Sequence, residues 1–228
     1  MTVGRLRAAG AIASCVALAG LLVHGEGDAW LSWSQSQAES VGRAAFVKGR
    51  VGGFFDTRLL KTERSYNYKL AATWLTPDVI RATARLAQLT RRLSEADTRD
   101  MVATAEAAAH TVVMVEIDPR EGAGVIPSDW LALLQFDDGA AIGGTSMPAL
   151  REVPALAGVL RRNYDYDRFW VTFPLVATDG TVLLPARAAL ATVVVRIHDK
   201  EGRVTWPVPA SLRERVTQLA ASRAAVTR

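Results

Sequence analysis

Two stretches decide how this chain folds: Arg168-Phe-Trp-Val-Thr-Phe-Pro-Leu175 and Ala191-Thr-Val-Val-Val-Arg-Ile-His198. In the first, Phe169, Val171, Phe173 and Leu175 fall on one side, and Arg168, Trp170 and Thr172 on the other. In the second, Ala191, Val193, Val195 and Ile197 alternate with Thr192, Val194, Arg196 and His198. Successive strand residues point to opposite faces, so a period of two predicts strands with one face buried. Thr178-Asp179-Gly180 supplies a turn between them, followed by the short apolar run Val182-Leu183-Leu184. Asp199-Lys200-Glu201-Gly202 is expected to close a hairpin onto Val204, Trp206 and Val208.

Upstream, residues 111–117 contain Val112-Val113-Met114-Val115 and predict a strand buried on both faces. Residues 46–51 and 54–60 also read as strands, parted by Gly52-Gly53. Tyr66, Tyr68, Leu70, Ala72 and Trp74 then form an aromatic stripe, whose commonest use is core packing. Thr76-Pro77-Asp78 predicts a helix start, with a capping hydroxyl, proline at the first turn and an acid near the positive end of the helix dipole. On that helix Val79, Ala82, Thr83, Leu86, Leu89 and Leu93 share a face, opposite Arg81, Arg85, Gln88 and Arg92. The arginine row suits a solvated face, or anionic headgroups or an acidic partner. Ser94 with Asp97 opens a second helix reaching about Ala109, and Leu212, Val216, Leu219 and Ala220 mark a C-terminal helix over 211–223. Residues 140–160, with Gly143-Gly144, Pro148 and Pro154, read as a long connection.

Short strands separated by turn signals, with one helical pair between two strand groups, imply an α+β, mostly β fold. The expected architecture is an antiparallel β-sandwich with a two-helix insertion and a C-terminal helix. In pattern the C-terminal half is similar to an immunoglobulin-like sandwich, although it lacks the Cys-Trp-Cys spacing of a true immunoglobulin. The chain divides into a leader over 1–29, a Ser/Gln-rich linker or weak helix over 30–44, and one globular domain over 45–228. Within that domain, strands are expected at 45–75, helices at 76–109, sandwich strands at 110–209 and the last helix at 211–223.

The leader is an address. Arg5 and Arg7 precede an unbroken apolar run over 8–23, and polar sequence begins at His24, which is the layout of a secretory signal. Gly27-Asp28-Ala29 places small residues where a signal peptidase reads them, giving cleavage after Ala29. Two other fates remain open. Ile12-Ala13-Ser14-Cys15 matches the pattern before a lipidated cysteine, and the apolar run over 8–23 forms a membrane tether if it is kept. The expected location is therefore the periplasm or cell envelope.

The chain has 228 residues and a net charge of +4, too small a surplus for a nucleic-acid partner. Its single cysteine, Cys15, lies in the leader, so the domain holds no disulfide and no thiolate site. His110 and His198 are the histidines outside the leader, and no HExxH, GxSxG, P-loop or GxGxxG motif occurs. Asp137-Asp138-Gly139 and Asp165-Tyr166-Asp167 could offer oxygens to calcium, but Asp-Gly beside a strand is ordinary turn chemistry. No cofactor and no metal site is expected. The candidate binding residues are Arg120, Glu121, Asp129 and Trp130, which lie on a Gly/Pro-rich loop at a sheet end, where sandwiches meet partners. The alternative for Trp130 is burial in the core. These features predict an exported, non-catalytic binding or scaffolding module whose partner is another envelope protein. The competing expectation is a hydrolase whose residues converge only in three dimensions.

Overall fold

The computed structural model describes residues 26–51, 68–119, 126, 128–160 and 167–226. The strand expected at 54–60, Tyr66, and the candidate residues Arg120 and Glu121 lie outside them. The fold is α+β. Nine strands form one antiparallel sheet: β1 (Phe46–Val51), β2 (Tyr68–Leu75), β3 (Thr111–Pro119), β4 (Leu131–Phe136), β5 (Ala141–Gly143), β6 (Thr145–Ser146), β7 (Asp167–Phe173), β8 (Leu190–Ile197) and β9 (Lys200–Pro207). Their order is β5-β4-β8-β9-β1-β2-β3-β7-β6.

The two edge strands, β5 and β6, are separated in the chain by Gly144 alone, so the sheet is nearly closed. The Gly144 N–H still bonds the Ala132 carbonyl of β4 at 2.9 Å, and the next residue, Thr145, pairs with Thr172 of β7. Glycine is needed at this corner. A Cβ at Gly144 would stand 2.5 Å from Val171 Cγ1 and 2.7 Å from the Phe173 ring. Residues 140–160, expected as a plain connection, thus carry the strands that bring the sheet edges together. The pairings also run without a break through β1 and β9, giving one sheet where the alternation led to an expectation of two facing ones.

Side chains from the inward faces fill the enclosed space. Tyr68, Leu70, Ala72 and Trp74 of β2 meet Val113, Val115 and Ile117 of β3, Val171 and Phe173 of β7, and Val193, Val195 and Ile197 of β8. Trp74 and Trp206 lie with ring centroids 5.8 Å apart, a tilted pair. Their N–H groups are both matched, Trp74 Nε1 to Thr111 Oγ1 at 2.6 Å and Trp206 Nε1 to the Ala45 carbonyl at 2.7 Å. The described part of the aromatic stripe is therefore core.

The helices α1 (Gln35–Ala44), α2 (Pro77–Arg91) and α3 (Glu95–Ala108) form a second core. There Leu75, Val112, Met114 and Trp170, on the outward side of β2, β3 and β7, meet Val79, Ile80 and Ala84 of α2 and Val102 and Ala105 of α3. Covered on both sides, β3 has every residue from Thr111 to Ile117 buried, as its unbroken apolar run predicts. α4 (Ala210–Val226) closes one end of the sheet, placing Leu212 and Val216 in the first core.

Four local expectations are revised. Residues 30–44 form the end of a 3-10 helix (Glu26–Ser32) and then α1, whose start carries a reciprocal box: Ser34 N–H to Gln37 Oε1, and Gln37 N–H to Ser34 Oγ. Trp30 is buried and Asp28 pairs with Arg99 at 2.9 Å, so this stretch is packed onto the domain. Thr76 precedes α2 but makes no side-chain cap bond there. On α2 the buried arc includes Ala84 and Gln88 and leaves Leu89 exposed, because α1 and α3 flank the helix together. Arg85 consequently turns inward, donating to the Trp33 carbonyl and Gln88, and the arginine row is broken.

The fourth concerns the last hairpin. Its turn is His198-Asp199, with His198 at φ +52°, and Gly202 already lies inside β9. There it lets β9 approach β1, since a Cβ would sit 2.6 Å from the Arg50 carbonyl oxygen.

Candidate functional site

Of the four loop residues singled out in sequence, the structure describes Asp129 and Trp130. Asp129 is exposed in the turn before β4. Trp130 is half-buried against the first core, its ring 4.8 Å from that of Phe169 at a 58° tilt. β5 and β6 pair with β4 and β7 only as far as Leu133 and Val171, so Trp130 and Phe169 pack across the opening that remains between those two strands. Its place is that of a packing residue. Truncation by Trp130→Ala is expected to lower stability by about 2 kcal/mol, near half the cost of a fully buried tryptophan. Urea denaturation checks this, and a change under about 0.5 kcal/mol, as at an ordinary surface position, would instead leave Trp130 free for a partner.

The loop acids are turn formers. Asp137 Oδ2 accepts the N–H of Ala189 at 2.9 Å and of Leu190 at 3.3 Å, fixing the start of β8. Asp138 Oδ1 accepts the Ala140 N–H at 3.0 Å. Asp167 opens β7, and Asp165 lies outside the described residues. Among the described residues no three His, Cys, Asp or Glu side chains gather as metal ligands.

A grouping of ionisable side chains lies where α2, α3 and α4 converge, and it is organised on His110. His110 sits at the step from α3 to β3. Its Nδ1 accepts the N–H of Leu175 at 3.0 Å and of Val176 at 3.3 Å. Its Nε2 lies 3.0 Å from Arg223 Nη2, and Arg223 also donates to the carbonyls of Val176 and Ala177. Burial, and then the positive charges of Arg223 and Arg215, hold the His110 pKa below the ordinary imidazole value. Beside it runs a chain of polar contacts: Arg215 donates to the Glu106 carbonyl, Glu106 Oε1 lies 3.7 Å from Arg81, Arg81 lies 3.7 Å from Asp78, and Ser211 Oγ donates to Asp78 at 2.6 Å. Leu75, Pro77, Ile80, Ala105, Glu106, His110 and Arg215 line a small cleft between these groups, with room for about one water.

This grouping brings a serine, an acid and a histidine to one side of the fold, but in the wrong relation for nucleophilic catalysis. A general base needs a lone pair on the nucleophile's proton and an acid on its other nitrogen. Ser211 instead donates to Asp78, and both His110 nitrogens face donors. In sequence His110 stood out only as one of two histidines outside the leader, and its arginines were missed. Arg215 and Arg223 lie on a helix more than a hundred residues away, and no local pattern marks them. A second unforeseen pair joins β3 to β7 outside the sheet, where Glu116, fully buried, accepts from Arg168 Nε at 2.9 Å.

No helix among the described residues is long and apolar enough to cross a membrane. Searched against protein-family models, curated proteins and solved structures, the chain matches none of them.

Proposed function

We propose that this chain is an exported or membrane-anchored envelope protein that works as a non-catalytic binding or scaffolding module for another envelope protein. The observation that carries the reading is the unequal covering of its sheet. Helices pack over β2, β3 and β7, whereas β4, β8 and β9 carry exposed outward residues: Leu131, opposite Arg196, and Leu190, opposite Pro207, are 42% and 46% exposed, with Val194 buried between them. On that side Arg196 and Arg203 flank Glu201, and Arg203 reaches Gln135, so an ion-paired strip runs between the two leucines. Preformed surfaces of this kind bind partners with little ordering cost. Further support comes from the His110 ring, which serves to hold backbone, and from the arginines and apolar run of the leader.

For the architecture, we read the nearly closed sheet as sandwich-like in its layering. One core draws Leu134, Phe136, Val193 and Val195 from one half and Val113, Val115, Val171 and Phe173 from the other.

Photo-crosslinking residues placed at Leu131 and Leu190 in the host test the binding surface, with an exposed α3 position, Ala103, as control. Discrete protein adducts from the first two sites and none from Ala103 support the reading. Adducts from no site, together with turnover of ester or peptide substrates, would overturn it. The intact mass of the protein from soluble and membrane fractions separates the fates of the leader. A soluble species beginning near Trp30 means a released module, and a membrane species retaining Met1 or lipidated at Cys15 means a tethered one.

A further inference from the structure

The His110 ring joins two parts of the fold that nothing in the local sequence links. One edge receives the backbone N–H groups of Leu175 and Val176, just after β7. The other meets Arg223, near the end of α4, which bonds the carbonyls of Val176 and Ala177 as well. All of these groups are donors. A neutral imidazole has one lone pair to offer, and the two N–H groups take it at Nδ1. An imidazolium has none. With that lone pair at Nδ1 the neutral ring already turns its Nε2–H toward Arg223, so protonation would set a new N–H at Nδ1 against the two backbone N–H groups and place a second positive charge beside the guanidinium.

The charges around the ring do not relieve this. α4 supplies Arg215 and Arg223. α3 supplies Glu106, which lines the same cleft but lies 3.7 Å from Arg81 of α2, itself 3.7 Å from Asp78. The segment 174–177 contributes no charged side chain.

The two halves of α4 are held differently. Its first half is anchored by Leu212 and Val216 in the core, by Ser211 on Asp78, and by Arg213 donating to the carbonyls of Pro185, Ala186 and Ala188. Its second half relies on the partly buried Leu219 and Ala220 and on Arg223.

We propose that His110 is an acid-sensitive latch whose protonation frees the distal half of α4, residues 217–226, from segment 174–177 and opens the cleft between α2, α3 and α4. This geometry is the same whatever the protein binds. The lowered His110 pKa agrees with it and sets the direction of the response. The docked state keeps the ring neutral, whereas the released ring takes a proton near the ordinary value of about 6.5. Docking is therefore at full strength above about pH 6.5 and weakens as the pH falls from there to the docked-state pKa, with the opening constant rising up to about tenfold per pH unit.

Hydrogen exchange on the full chain in mild detergent, corrected for intrinsic rates, tests this between pH 7.5 and 5. The expected result is a loss of protection that grows by at most about tenfold per pH unit, confined to 217–226 and to the amides of Leu175 and Val176. His110→Asn keeps an acceptor where Nδ1 stood and cannot titrate, so its pattern should be the same at both pH values. Equal protection of the wild-type α4 at both pH values, or an equal acid loss in His110→Asn, would overturn the latch. Should the variant not fold, imidazole NMR of the wild type decides. An unprotonated Nδ1 with a pKa below 6.5 supports the latch, and a pKa at or above that value overturns it.

Discussion

Trp74→Ala is expected to destabilise the protein by about 3–5 kcal/mol, the range for emptying a fully buried aromatic site. The ring is 1% exposed and sits where the two halves of the sheet meet, against Trp206. Its loss opens a cavity that the nearly closed sheet resists collapsing around, and it leaves Thr111 Oγ1 without the indole donor it has at 2.6 Å. Trp74→Phe separates the two causes. It restores most of the volume but not the N–H, and about 1–2 kcal/mol of the loss should remain. Urea denaturation followed by far-ultraviolet circular dichroism measures both. A loss under about 1 kcal/mol in Trp74→Ala would mean that the site relaxes freely and that the interior is not the close-packed core described above.

Gly144→Val is expected to cost about 3 kcal/mol, at the upper end for forcing atoms into a packed interior. The added carbons overlap Val171 and Phe173, which are 1% and 0% exposed and lie on a strand pinned between β3 and β6. Relief requires β6 to move off β7, which opens the sheet at the one-residue junction of β5 and β6. Hydrogen exchange should then accelerate at the β6–β7 amides first, with β2 and β3 still protected. Gly139 gives the contrast. It belongs to an exposed turn where a Cβ would meet nothing within 4 Å. Its φ of +89° adds backbone strain only, so Gly139→Ala should cost about 1 kcal/mol. If Gly144→Val proves no worse than Gly139→Ala, the corner is looser than its contacts imply.

Both expectations rest on enclosure, and enclosure is what separates the legible from the illegible in this chain. Alternation along 169–173 and 191–197 specified strands and their inward residues correctly, because the pleat makes side-chain direction a local property. The same locality made α2, α3 and α4 readable from proline, serine and apolar spacing. It misled where a contact from elsewhere reset the local preference. The Ser/Gln-rich stretch 30–44 read as a linker or a weak helix, and it is a capped helix over 35–44 because α2 gives its few apolar positions something to pack on. Gly202 looked like a turn residue, but a strand 150 positions upstream needed its missing side chain. Gly143-Gly144 looked like a loop, because strands of three and two residues have too few positions to show a period. Only the backbone partners on β4 and β7 make them strands.

The grouping at His110 shows the same division more sharply. In sequence His110 was visible only as one of two histidines outside the leader, and the candidate site was placed on the loop at Arg120, Glu121, Asp129 and Trp130. The chemistry of His110 depends on which groups face its two nitrogens, and those arrive from segment 174–177 and from α4, 65 and 113 positions away. Strand and helix identity is therefore written in neighbouring residues, which interact whatever the rest of the chain does. Closure of the sheet, burial on both sides of β3 and the donors around His110 are decided by tertiary packing, because each needs two distant segments held within a few ångströms of one another.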